Sequence, residues 1–229
     1  MNVDTPIPYL LKYDDSIAII ILLCFFSLAF VLAGSKKYLM QQGTSFILHK
    51  DRMNLFGASP VFNIYLSSVL ILQTCFLIGI AFFSYFNYKC PILIQDSNPY
   101  AVIGVYVLVA LLYILLKRVL YVFAGWIFFD KSSVSSWLDS YFTLIYYLGF
   151  ALFPYILLLV YFDLNIEIML SLGLVILIIT KILMLYKWLK FFFNNIYGLS
   201  LLILYFCALE IMPCLLFYRV LMDINKILL

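Results

Sequence analysis

Long apolar runs alternate with short polar connections along most of the chain, at about 16 to 33, 64 to 86, 100 to 117, 138 to 161, 168 to 186 and 196 to 218. A hydrocarbon layer about 30 Å thick takes roughly 20 residues of α-helix per crossing. Lipid offers no partners to backbone N–H and C=O groups, so each crossing must satisfy its own. The pattern therefore predicts an all-α, polytopic transmembrane bundle of about six spans, forming one domain over residues 1–229. A transmembrane barrel would need segments of about ten residues with alternating polarity, and no run alternates.

Two stretches between runs are more than simple loops. Residues 35 to 62 interleave Tyr38, Leu39, Phe46, Ile47, Leu48, Leu55 and Phe56 with Lys50, Asp51 and Arg52, a mixture suited to an amphipathic segment at headgroup level. Residues 119 to 129 are apolar but follow Lys117 and Arg118. Two adjacent cations in hydrocarbon are costly, so an interfacial helix is expected there in preference to a continuation of the third span. Asp139, beside Ser140 at the start of the fourth run, is expected to cap its helix.

Charge sets the orientation. With the N-terminus outside, Lys36, Lys37, Lys50, Arg52, Lys117, Arg118, Lys131, Lys181, Lys187 and Lys190 fall on the cytoplasmic side, against Lys12, Lys89, Arg219 and Lys226 outside. Short-loop cations favour the cytoplasm, so both termini are expected outside. Trp126, Trp137 and Trp188 fall on the basic side, as headgroup-level indoles should. The first run is expected to be a retained helix and not a signal peptide, because Asp14 and Asp15 precede it and Lys36 and Lys37 follow it, the reverse of signal-peptide flanks.

Composition adds little to this picture except exclusions. The 229 residues are 67% hydrophobic and 11% charged, well below the charge of soluble domains. A net charge of +3, scattered between apolar runs, argues against a nucleic-acid partner. Cys24, Cys75, Cys207 and Cys214 lie inside runs and read as small buried hydrophobes. His49 is the sole histidine, which excludes intrachain multi-histidine iron, haem and zinc sites. Gly-rich nucleotide loops are absent, and no cofactor is expected. Single glycines within runs, such as Gly79, Gly149 and Gly173, are expected to let helices approach closely.

The sharpest candidate is Glu210, in Ala208-Leu209-Glu210-Ile211-Met212-Pro213, since an ionisable group inside a span is costly and therefore a default functional site. Counted from the start of the sixth run it falls in the outer half of the bilayer, about 21 Å from the cytoplasmic end. Pro213 removes one helical donor nearby. Either Glu210 is a proton, cation or partner site, or it is a neutral carboxyl group bonded to a tyrosine or a carbonyl. Lys181 reads as free to snorkel and not as its partner. Lys36, Lys37, Arg52, Lys117 and Arg118 form a second candidate set, for docking or for lipid headgroups.

The whole-chain layout, Leu116-Lys117-Arg118 followed by Gly125-Trp126-Ile127-Phe128, and Leu209-Glu210-Ile211-Met212-Pro213 together resemble a family of small multi-span inner-membrane proteins of Bacteroidota, defined as a domain of unknown function. The resemblance implies a bacterial cytoplasmic membrane and carries no activity with it.

The residues alone lead first to a non-enzymatic accessory or scaffold subunit that associates with other membrane proteins, in protein export or envelope assembly. The alternative is a small-solute, ion or proton transporter using Glu210. A lipid-modifying enzyme built on Lys36, His49, Asp51 and Arg52 comes third.

Overall fold

The computed structural model describes residues 11–48, 60–89, 98–128, 131–162, 165–192 and 210–227. They form a short 3-10 turn, Leu11–Tyr13, and six helices: α1 Asp15–Leu48, α2 Pro60–Lys89, α3 Pro99–Phe128, α4 Lys131–Tyr161, α5 Ile166–Phe192 and α6 Met212–Ile227. No strand occurs among the described residues. Five helices are long and apolar enough to cross a membrane, through Asp15–Gly34, Ser67–Lys89, Pro99–Phe123, Trp137–Tyr161 and Ile166–Lys187. The chain is an all-helical membrane protein.

Three helices start with the same local device. Asp14, Asn98 and Asn165 each precede a helix, and each side-chain Oδ1 accepts the backbone N–H two residues on, from Ser16, Tyr100 and Glu167, at 2.8, 3.2 and 3.1 Å. These are N-caps that satisfy otherwise orphaned donors, and Pro99 stands at the first helical position, where its missing N–H costs nothing. Tyr100 Oη also donates to the Asp14 carboxylate at 3.0 Å, tying the starts of α1 and α3 together.

Helix α2 is central and packs along both α3 and α4; α1 leans on α4 and α2, α5 on α4, and α6 on α3. The main core gathers Ile17 of α1, Leu77, Ile80 and Phe83 of α2, Tyr106 of α3, Ile156 of α4 and Leu221 of α6. A second cluster, toward the Phe128 end of α3, joins Cys75, Ile114, Tyr121, Trp137, Tyr141 and Met184. Close approach depends on small residues at defined points. A methyl group on Gly79 would lie 2.5 Å from Val107 Cγ2 and 3.2 Å from its backbone nitrogen, and one on Gly149 would lie 2.5 Å from Thr74 Oγ1.

Three expectations are corrected. The stretch 119–128 continues α3 without a break, Gly125 included; of the two adjacent cations that argued for an interfacial turn, Lys117 is paired inside the bundle and Arg118 lies exposed on another face. Helix α1 likewise runs on through 35–48 to Leu48, while residues 49–59 of that stretch lie outside the described ones. Asp139 does not cap α4, which begins eight residues earlier at Lys131; its carbonyl accepts the Thr143 hydroxyl at 2.6 Å within the helix.

Candidate functional site

The second core cluster closes around three charged side chains from three helices. Lys117 sits on α3 between Tyr113 and Tyr121, each one turn away on the same face. Lys181 sits in the second half of α5. Glu210 and Ile211 form a wide, π-type turn leading into α6, where Pro213 is buried and brings no N–H. Such turns interrupt the regular ladder and recur at functional sites.

Glu210 holds the three elements together. Its Oε2 lies 2.6 Å from Lys117 Nζ and 2.6 Å from Lys181 Nζ. Its Oε1 accepts the Tyr121 hydroxyl in a short hydrogen bond. The carboxylate is thus engaged on both oxygens, and the Glu210 and Lys117 side chains are only 2% and 3% exposed. Lys181 differs, with 40% of its side chain exposed. Two lysines against one carboxylate leave one positive charge uncompensated among these three groups.

Aromatic rings complete the setting. Lys117 Nζ lies 5.7 Å from the ring centres of Tyr113 and Tyr121 and 5.8 Å from that of Tyr141, so three electron-rich faces and a carboxylate surround one ammonium. Tyr121 is held edge-on against Trp137 and Tyr141, at 5.7 and 5.1 Å between centroids. One turn beyond Glu210 on α6, Cys214 Sγ lies 3.3 Å from Tyr113 Oη, and Tyr113 packs against Phe217 at 4.8 Å.

The structure brings together some of the residues singled out in the sequence and separates others. Glu210 and Lys117 meet, with Pro213 buried beside them. Arg118, next in sequence to Lys117, points elsewhere: it is exposed, with its guanidinium carbon 5.7 Å from the Phe142 ring. Lys36 and Lys37 lie on the backbone of α1 with their side chains outside the described residues, and Arg52 and His49 lie outside them altogether.

Two readings of the sequence are corrected here. Lys181 is a partner of Glu210, not a free snorkelling side chain. Glu210 is also not in the half of the bundle away from Lys117, because direct contact puts both at one depth. Depth is fixed by the contact across helices and not by a count along the sixth run. From Glu210, α6 runs antiparallel to α3 until Leu221 joins the core with Ile17 and Val102 at the Pro99 end.

A separate polar node lies between α1 and α2. Ser27 Oγ approaches Gln73 Oε1 at 2.5 Å, and Gln73 Nε2 donates to the Cys24 carbonyl at 3.2 Å. Thr74 Oγ1 donates to the Leu70 carbonyl at 2.7 Å. Ser27 and Gln73 thus bond across the two helices, while Thr74 bonds to the backbone of its own helix, and all three groups are neutral, which suits helix packing in lipid.

Residues 17–221 match the sequence profile of a family described as domain of unknown function DUF4271. The match includes Lys117, Lys181 and Glu210. No curated protein and no solved structure matches the chain.

Proposed function

The chain belongs to the DUF4271 family, and we propose that it works as a proton- or ion-coupled membrane protein whose operating centre is Glu210 shared between Lys117 and Lys181. One observation carries this reading: a buried carboxylate holds two ammonium groups on one oxygen, and one of the two is open to its surroundings. A purely structural clamp needs one cation per carboxylate. A surplus lysine on a different helix gives the site two partners to exchange, and intramembrane ionisable groups are the usual substance of proton relays. Tyr121 extends the set of proton-bearing groups by about one turn toward the Phe128 end, and Tyr113 with Cys214 by about one turn toward the Pro99 end. In this reading Lys117, enclosed by rings, is the fixed cation. Lys181 is the one that parts from Glu210 when a proton or ion arrives.

The orientation belongs to the same proposal. The chain crosses a bacterial cytoplasmic membrane six times with both termini outside, and the cluster lies toward the cytoplasmic side. The ten-to-four division of basic residues supports this.

The test is proton movement in proteoliposomes loaded with a pH-sensitive dye. Wild-type protein under an imposed potential should acidify or alkalinise the lumen faster than empty vesicles, and Glu210→Gln should remove the difference while the protein stays inserted. Wild-type vesicles indistinguishable from empty ones would sink the proposal.

The accessory-subunit reading retains one favouring observation. Only 11% of the apolar stretch of α5 is buried, against 50% in α4, so outside the stripe that packs on α4 this helix faces lipid or another membrane protein. Crosslinking from Ile179 in native membranes would separate the two: a single discrete protein adduct supports a partner, and lipid adducts alone oppose one.

A further inference from the structure

Lys181 has a side that Glu210 does not occupy. Its ammonium donates to Glu210 Oε2 at 2.6 Å, yet 40% of the side chain is exposed. The ammonium carries three N–H donors, and one carboxylate oxygen already shared with Lys117 does not saturate them. On the same helix, Leu177, Ile178 and Ile182, one turn or less from Lys181, are all exposed. The result is a cation set in an apolar, membrane-facing strip, next to a cluster that already holds excess positive charge.

We propose that the open side of Lys181 binds the phosphate of an acidic phospholipid, whose acyl chains lie along Leu177, Ile178 and Ile182. The chemistry of the strip selects this ligand. A water-soluble anion would have to leave water for a flank lined by aliphatic side chains, at a large desolvation cost, whereas a lipid phosphate arrives with chains that cover that flank. The depth suits a headgroup. The apolar stretch of α5 ends at Lys187, about 9 Å further along the helix, a gap closed by a headgroup drawn inward toward the cation. A zwitterionic headgroup brings its own cation and offsets the surplus less well. The inference goes beyond the proton reading, since it concerns the outward side of Lys181 and stands even if Glu210 moves no proton.

The test uses the full chain in nonionic detergent with phosphatidylglycerol or phosphatidylcholine of equal chain length, counting retained lipids by native mass spectrometry. Wild type should retain phosphatidylglycerol about fivefold better, the effect of one basic residue near an anionic surface. Lys181→Gln should abolish the preference, Lys181→Arg should keep it, and Arg118→Gln should leave most of it. Ile178→Glu, an exposed change one turn away, should also abolish it by placing a competing anion beside the open side of Lys181 while leaving Lys117, Glu210 and Lys181 themselves in place; this variant decides the matter if Lys181→Gln fails to fold. An unchanged preference in folded Lys181→Gln or Ile178→Glu would overturn the proposal. Displacement of the lipid by millimolar inorganic phosphate would overturn it too, by revealing a site for free anions. Because this readout measures no proton movement, its failure is distinguishable from failure of the transport assay.

Discussion

Helix α2 and the α5–α6 pair are held in the bundle by different physics. Around α2, Leu77, Ile80 and Phe83 are fully buried, Gly79 lets α3 approach, and the polar groups Gln73 and Thr74 are neutral and satisfied locally. Helix α5 packs on α4 along one sparse stripe, and α6 is a short helix against α3; α5 and α6 meet through the Lys181–Glu210 ion pair, with Lys117 on the same carboxylate oxygen. Dispersion and shape hold the first region, and they change little with solution conditions. The second depends on charges, so one proton, one ion or one substitution reaches it. A membrane protein that must change state without losing its fold gains from such a division.

Substitutions should expose this contrast. The largest effect is expected from Glu210→Ala, which leaves Lys117 buried without its counter-ion. Breaking one partner of a buried ion pair typically costs about 3–5 kcal/mol. Thermal or denaturant unfolding in mixed micelles should show it, and Lys117→Met/Glu210→Met should recover much of the loss because no charge is then stranded. A double variant no more stable than Glu210→Ala would mean that the ion pair is not the source of the cost. Tyr121→Phe comes next. It removes one hydrogen bond to a carboxylate, worth about 1.5–3 kcal/mol, while keeping the ring contacts with Trp137 and Tyr141.

On the α2 side, Gly79→Ala should cost about 1–3 kcal/mol through overpacking, because the added methyl group meets Val107, and Val107→Ala should relieve part of it. Gly104→Ala, where a new Cβ has nothing within 4 Å, is the matched control and should not destabilise. The smallest effect is expected from Arg118→Gln, within about 0.5 kcal/mol, as for surface changes away from special contacts. If Arg118→Gln proved as damaging as Glu210→Ala, the assignment of the two adjacent cations to different roles would fail.

Much of the fold could be read from the chain, for a simple reason. The solvent for these helices is hydrocarbon, so length and apolarity decide where a helix lies, and the runs at 16 to 33 and 100 to 117 lie within α1 and α3. The ends were harder. No proline stands between Lys117 and Phe128 and the single Gly125 does not interrupt the helix, which stops where its hydrogen bonding is interrupted, not where hydropathy falls. Glu210 was visible as an isolated carboxyl group in an apolar run, but its partners were not, because contacts between helices leave no trace in local spacing. Lys117 carries a readable signal: Ala110, Ile114, Lys117 and Tyr121 recur at helical spacing on the buried face of α3, which turns Lys117 inward and Arg118 about 100° away. Lys181 has no such signal, since apart from Thr180 the residues within a turn of it on α5 are all apolar.

The central claim is that Glu210 is an ion-paired carboxylate that exchanges protons from inside the bundle, and infrared spectroscopy of the protein in lipid bilayers tests it most directly. The account predicts an ionised carboxylate band near neutral pH, absent from Glu210→Gln, that gives way reversibly to a protonated carbonyl band on acidification, with Lys181→Gln changing the pH at which this happens. A protonated carbonyl band assigned to Glu210 at every pH would contradict it, leaving a neutral hydrogen-bonding group in place of a shared charge.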